Sequence, residues 1–394
     1  MRGRGSGTPE GPVPEGMAHC LSVADIVPAG QDRPVGLRDV LSGALAAVLD
    51  GGGRMRLGAP ERVLVVVVDG LGAEALAARA GHARTLASRL NRGSRITTGC
   101  PTTTAAALAT LATGTDPGEH GVVGYSVLDP DRDRVVNQLR GFDDGGLPAG
   151  WQRSATVFER AVDAGVRAFA TGPRHYADSG FTEAVLRGAD YLGARTVEHR
   201  FDAAFDAFAE GGRAIGYCYV PELDQIAHRE GWSSGAWTAE LEALDAAVGT
   251  AASRLRPGER MLVTADHGMV DVPAERHLLF DAVPGLLDGV RHVAGEPRLR
   301  QLHLEPGEDA SGTAERWRAA FGRRAEVRTR SEAVEAGWFG RVDDAVLPRI
   351  GDVLVAARSK DAFYDAGSAG RGMVGQHGAW TDAERLVPLL RFGV

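Results

Sequence analysis

The sequence predicts an α/β fold built on a central, mostly parallel sheet. Three observations predict it. The stretch Val63 to Val68 is an unbroken β-branched and aliphatic run, the pattern of a strand covered on both faces. Helical and strand patterns then alternate along the chain, as βα units require. Two of the strand runs also end in ionisable residues, Asp69 in VVVVDG and Asp266-His267 in TADHG. Ligands of parallel sheets bind beyond the carboxyl ends of the strands, which is where these residues fall.

The elements follow in order. Residues 38–49 (RDVLSGALAAVL) have a helical period, and GGGR at 51–54 breaks the chain. AEALAARAGHARTLASRL, 73–90, reads as one helical stretch. Residues 155–165 read as a helix and 166–172 as the next strand. The same pair recurs at 196–212 and 213–220. A strongly periodic helix covers 238–255, and 260–268 is a short strand ending in Asp-His-Gly. From 281 to 340 the character changes to short strand (RLRQLHLEP), helix (GTAERWRAAFG), short strand (AEVRTR) and helix (SEAVEAGWFG). That segment predicts a small α+β cap, inserted in a core made of 17–280 and 341–394. GDVLVAARSKDAFY, 351–364, returns to a strand pattern.

Composition narrows the class. With 44% hydrophobic and 24% charged residues in 394, the chain can bury a substantial core. The net charge of −8 leaves no basic footprint for bulk nucleic acid, though a nucleotide remains compatible as a small substrate. Residues 1–16 are rich in Gly and Pro with no apolar segment of signal-peptide type, and read as a disordered tail. The aliphatic run at 63–68 is too short to span a bilayer. Cys20, Cys100 and Cys218 form no C-x-x-C and no paired framework, which fits a reducing compartment. Together these features predict a cytoplasmic protein without a membrane anchor; they are silent on oligomeric state.

Five features carry chemistry. Asp224 and His228 in PELDQIAHREG stand at i, i+4, on one face of a helix that begins just past a strand, so both side chains can reach one ion. Taken alone, such a pair is an ordinary solvated face. Asp266 and His267 precede Gly268, a turn in which both side chains can converge; alone, Asp-His is an ordinary turn. Asp69 taken alone is a helix cap. His377 in GQHGAW taken alone is a structural loop histidine. Thr102, Thr103 and Thr104 in CPTTTAAALATLATG taken alone are a helix start. A hydroxyl at a helix N-terminus also faces free N–H donors and the positive end of the dipole, where phosphate is favoured.

Carboxylates and imidazoles together suit Zn²⁺ better than all-oxygen Mg²⁺ or Ca²⁺. The ligands suffice for two divalent ions, and two ions about 4 Å apart clamp the attacking and leaving oxygens of an in-line displacement. A threonine hydroxyl needs such an activator to act as a nucleophile. In the cap, Arg291, His292, Arg298 and Arg300 cluster. They read as a solvated face of an Arg-biased chain (Lys360 is its only Lys) in preference to substrate contacts.

In this order and context the five features resemble the alkaline phosphatase superfamily, specifically the type I phosphodiesterase/nucleotide pyrophosphatase family, from about residue 61 to the C-terminus. PTTTAAALATLATGTDPGEHGVVGY is similar to the family's nucleophile segment. The resemblance implies a three-layer sandwich. It makes Thr104 the nucleophile and a metal contact, puts Asp69, Asp266 and His267 on one metal, and puts Asp224, His228 and His377 on the other. It implies hydrolysis of phosphodiester or nucleotide pyrophosphate bonds through a phosphothreonine, on a small-molecule phosphate ester. A phosphonate hydrolase shares this threonine and ligand set, and a phosphomonoesterase of the same superfamily is a further alternative. A sulfatase is excluded, since CPTTT lacks C-x-P-x-R, and a pseudoenzyme would be expected to have lost some of the ligands. Two departures stand out. Ala107 occupies the place of a phosphate-binding Asn, and the nucleobase-stacking aromatic pair has no clear counterpart, with Tyr125 and Tyr219 the residues nearest to the motifs.

Overall fold

The computed structural model describes residues 34–52, 54–143 and 146–393. The expected tail at 1–16 and Cys20 lie outside them. The strands, in chain order, begin with β1 (Arg62–Val68), β2 (Arg95–Thr97), β3 (Ser126–Asp129) and β4 (Arg134–Asn137). Then come β5 (Arg167–Pro173), β6 (Asp190–Ala194), β7 (Ala214–Val220) and β8 (Glu259–Thr264). Short β9 (Val270–Asp271) and β10 (His277–Leu279) precede β11 (Val290–Glu296), β12 (Leu299–Leu304), β13 (Ala325–Thr329) and β14 (Val353–Ala357). The last three are β15 (Ala362–Tyr364), β16 (Gly375–Gln376) and β17 (Leu386–Phe392).

Seven of these form the central sheet, in the order β2-β17-β8-β1-β7-β5-β6. The pairs from β8 through β6 are parallel, and β17 runs antiparallel to both of its neighbours. Val63 to Val68 are fully buried, as a run without alternation requires. Helices flank the sheet in two groups. Arg38–Asp50 packs with Thr104–Thr113 and Val157–Asp163, while Gly235–Ser253 packs with Val197–Ala209 and Glu222–Glu230. The mixed α/β architecture of the sequence reading is the one observed.

The register places the candidate ligands. Val67 is level with Tyr219 of β7 and with Thr264 of β8. Asp69, Asp224 and Asp266 therefore emerge from three adjacent strands at one end of the sheet.

The helix expected over 73–90 is two short helices, Ala73–Ala78 and Arg84–Ala87. The reason is a cap from another element. The Asp245 carboxylate accepts from the N–H groups of Thr85 and Leu86, at 3.0 and 2.8 Å, and so starts a new helix after the turn through Gly81.

A second sheet, order β11-β12-β14-β13, is antiparallel throughout. Its own apolar cluster gathers Trp317 and Phe321 of helix Ala310–Phe321 with Val327, Val353 and Phe363. β14 lies beyond residue 340, so this sheet draws on chain past the 281–340 segment; a strand pattern alone does not say which sheet a strand joins. Among the described residues no helix is long and apolar enough to cross a membrane.

Candidate metal centre and catalytic cleft

Asp69 leaves β1 into a turn at Gly70, whose φ of +73° is the left-handed region that favours glycine. A Cβ at Gly70 would also lie 3.2 Å from the Asp224 backbone. This close approach brings Asp69 and Asp224 together. Asp224 and His228 sit on helix Glu222–Glu230, with Asp224 Oδ1 3.5 Å from His228 Nε2. His267 Nε2 lies 3.5 Å from Asp69 Oδ1 and 3.4 Å from Asp266 Oδ2. The rings of His267 and His377 stack with centroids 3.7 Å apart, and those of His228 and His377 are 5.2 Å apart.

The tautomers follow from the backbone. Nδ1 of His228 is 2.8 Å from the Gly375 carbonyl, Nδ1 of His377 is 2.8 Å from the Thr102 carbonyl, and Nδ1 of His267 is 3.3 Å from the Gly268 carbonyl. A carbonyl only accepts, so each Nδ1 carries the proton and each Nε2 offers a lone pair. Opposite them, Asp69 Oδ1, Asp224 Oδ1 and Asp266 Oδ2 are buried and accept no hydrogen bond among the described residues. Buried acceptors turned toward one another are costly unless a positive charge lies between them.

The electrostatics agree. Burial, then the charge of Asp266, raises Asp69 well above the carboxylate range. Burial, then Asp69, raises Asp224 to about 8; burial, then Asp224, raises Asp266 to about 7. Burial, then His377, lowers His267, and burial, then His228, lowers His377 to about 3. A cluster that resists its own negative charge and keeps these imidazoles neutral has the character of a cation site. Two overlapping groups have the reach to hold an ion: Asp224, His228 and His377, and Asp69, Asp224 and His267. Asp224 belongs to both, whereas the sequence reading gave it to one. Asp266 joins through its 3.4 Å approach to His267.

The three threonines have separate places. The Thr102 hydroxyl donates to the Ala379 carbonyl and accepts from the Gly378 N–H, at 3.0 Å for the latter, which stitches the His377 loop down. Thr103 is the N-cap of helix Thr104–Thr113, yet its side chain caps nothing. Thr104 lines the cleft, with Oγ1 3.1 Å from His267 Nε2. Ala107 packs in the hydrophobic core, whereas Leu108, on the next position of the helix, lines the cleft.

The cleft measures about 600 Å³. Beside Asp69, Asp224, His228 and His377 its lining includes Tyr125 and Tyr219. The Tyr219 hydroxyl donates to Asp69 Oδ2, so this phenol orients a carboxylate of the centre. Tyr125 is held by its backbone N–H, which donates to Glu296 Oε2 at 3.0 Å. The sequence reading missed His175, Tyr176, Phe181, Tyr191 and Tyr217, which add an aromatic wall. One signal pointed to His175, Tyr176 and Phe181: PRHYADSGF, which holds them, follows β5 at the ligand end of the sheet. The cap arginines stay out of the cleft lining. Arg291 and His292 bind Asp133, Arg300 donates to the Phe363 carbonyl at 2.8 Å, and Arg298 is buried against Glu384. Arg298 and Arg300 are internal ties, whereas Arg291 and its partner Asp133 stand at the surface, as a solvated face would have them.

Comparison with known proteins agrees with this geometry. No curated protein sequence matches the chain. Among solved structures, human ectonucleotide pyrophosphatase/phosphodiesterase 5 aligns with a TM-score of 0.65 at 17% identity, covering 84% of this chain and 87% of that one. The murine protein aligns at 0.65 and 17%, covering 84% and 88%. An inactive variant of the murine protein in complex with AMP aligns at 0.64 and 16%, covering 84% and 87%. At these identities the likeness shows the fold. The profile of the type I phosphodiesterase/nucleotide pyrophosphatase family matches residues 63–380, a span that takes in every candidate ligand described above. By that match the chain belongs to the type I phosphodiesterase/nucleotide pyrophosphatase family, within the alkaline phosphatase superfamily.

Proposed function

We propose that the protein hydrolyses phosphodiester or nucleotide pyrophosphate bonds in two steps, with Thr104 as nucleophile and two divalent ions, Zn²⁺ by the chemistry of the donors, as cofactors. One observation carries the reading: the Thr104 hydroxyl lies 3.1 Å from His267 Nε2, beside three buried carboxylate oxygens that accept no hydrogen bond among the described residues. The nitrogen and oxygen donors fit zinc-type ions. Asp69, Asp266 and His267 would hold one ion and Asp224, His228 and His377 the other, with Asp224 within reach of both. When bound, the ions supply Lewis acidity that lowers the hydroxyl pKa and offsets charge on the attacking and leaving oxygens.

The chain's own residues do the rest. Thr104 Oγ1 attacks phosphorus, forming the Oγ1–P bond as the bond from phosphorus to the leaving oxygen breaks. Water then attacks phosphorus, cleaves the Oγ1–P bond and returns the hydroxyl. Thr103 leaves the first turn of the helix without a side-chain cap, so its amides are free to receive phosphate oxygens. His228 and His377, fixed through Nδ1, hold their Nε2 atoms toward the reacting centre. The aromatic wall offers a surface to a ring-bearing substituent; the AMP complex of the murine relative makes a nucleotide the first candidate.

The test is a panel of diesters, nucleotide pyrophosphates, monoesters and phosphonates on zinc-loaded protein, compared by kcat/KM. Highest values for diesters or pyrophosphates are expected. Preference for a monoester or a phosphonate would reassign the substrate class, and no turnover of any member would sink the reading.

A further inference from the structure

We propose that Arg298, in the turn between β11 and β12, is a positioning residue that holds the metal-ligand loops in place through Glu384. The inference rests on the metal-centre reading above. Both side chains are fully buried. Arg298 Nε and Nη2 donate to Glu384 Oε1 and Oε2 at 2.7 and 2.8 Å, and Nη1 donates to the Asp361 carbonyl at 2.6 Å. This is the bidentate fork geometry that guanidinium offers and ammonium does not.

Glu384 turns its remaining acceptor capacity on the His377 loop. Oε1 accepts from the Ala379 N–H at 3.1 Å, and Oε2 accepts from the Thr381 N–H and hydroxyl at 3.2 and 2.7 Å. Its backbone carbonyl accepts from the Gly268 N–H at 2.7 Å, one residue after His267. The close seat depends on glycine, since a Cβ at 268 would lie 2.0 Å from the Ala383 carbonyl oxygen. The chain of contacts continues. The Ala379 carbonyl accepts from the Thr102 hydroxyl, and the Thr102 carbonyl accepts from His377 Nδ1 at 2.8 Å. One ion pair thus reaches His377, the residue after His267, and the segment two residues before Thr104.

A buried ion pair is weak grounds for stability by itself, since desolvation offsets much of the attraction. Its value here is in fixing where the ligands stand. Arg298 belongs to the second sheet, so this contact also assigns that sheet a share in shaping the centre.

The test is zinc affinity in R298M, R298K and E384Q. It is measured at room temperature by competition with a chromogenic chelator, on protein shown to be folded by circular dichroism, with Tm recorded alongside. Wild type is expected to bind two zinc ions. R298M should weaken at least one site about 10–100-fold, the range for residues that orient metal ligands. R298K should recover part of the loss, because it keeps the charge but not the fork. A folded R298M with wild-type zinc affinity, however low its Tm, overturns the proposal and leaves the pair a stabilising contact alone. If R298M does not fold, E384Q decides, and wild-type affinity there overturns the proposal. A wild-type protein that takes up no zinc overturns the metal-centre reading, and the role of Arg298 with it.

Discussion

Asp224 Oδ1 lies 3.5 Å from Nε2 of His228, while Nδ1 of the same ring is committed to the Gly375 carbonyl at 2.8 Å. Two acceptors set face to face need a proton or a cation between them. Because Asp224 also reaches Asp69 and His267, D224A should deplete both ions of the zinc-loaded protein, whereas H377A should deplete one. Metal analysis by mass spectrometry after gel filtration reads the difference. Unchanged content in both variants would remove Asp224 and His377 from the centre.

Thr104 is the threonine of the three whose hydroxyl meets the metal-ligand cluster. T104A should lower turnover of bis(p-nitrophenyl) phosphate by at least about 10³-fold, the scale seen when a nucleophile is lost. Its zinc content and Tm should stay near wild type, and T104S should keep measurable turnover. Near-normal rates in T104A would move the nucleophile elsewhere.

The metal-free protein should lose stability as pH rises. Asp224 and Asp266 have folded-state pKa values of about 8 and 7, above their ordinary 3.8. A carboxyl raised in this way contributes stability that is fully present below its unfolded pKa and is lost as pH climbs through the folded value. His267 and His377 are lowered instead, so their contribution is complete above 6.5 and fades only on acidification. Between pH 6.5 and about 9 the carboxyls therefore set the slope. Thermal melts of chelated protein should show Tm falling across that window, and zinc should remove most of the fall. A flat profile without metal would contradict the raised carboxyls.

Tyr176 stands on the aromatic wall, its ring 4.1 Å from that of His175 and 6.0 Å from that of Tyr219. If a base packs there, Y176A should raise KM for a nucleotide pyrophosphate by about 5–150-fold, the equivalent of about 1–3 kcal/mol of base stacking. The value of kcat should move far less. Equal KM in the variant and the wild type would place the base elsewhere.

His120 is buried; burial, then Arg349, lowers it to about 3. Nδ1 accepts from the Val122 N–H at 3.1 Å, and Nε2 meets the Thr110 hydroxyl at 3.0 Å. H120A strands both groups, at about 1–3 kcal/mol each, so chemical denaturation should show a loss of about 2–6 kcal/mol. Zinc content in the folded variant should not change. A drop in zinc content would instead tie His120 to the centre.

The sheet and the candidate ligands at its strand ends were legible because both rest on local pattern. A β-branched run that ends in Asp69 reads as a buried strand with a polar tip, and Asp224 with His228 reads as one helix face. The break at Gly81 was not legible, since the cap that restarts the helix is Asp245, far along the chain. Nor was the sheet to which Val353–Ala357 belongs, because a strand run does not name its partner. Tyr191 and Tyr217 carry no such signal, and only the fold brings them to the cleft. Arg298 looked like a surface arginine in a chain full of them; its burial depends on Glu384, 86 positions away.

The aromatic wall and the ligand cluster come from different kinds of chain. Asp69, Asp224 and Asp266 are fixed by three neighbouring strands whose register cannot slip without unpacking the core. His175, Tyr176 and Phe181 of the wall are carried by the connection between β5 and β6, the class of segment in which insertions and substitutions are tolerated. Descent can thus rewrite which molecule is admitted while leaving the chemistry performed on it untouched, and homologues with the same strand-end residues are expected to diverge first in these loops.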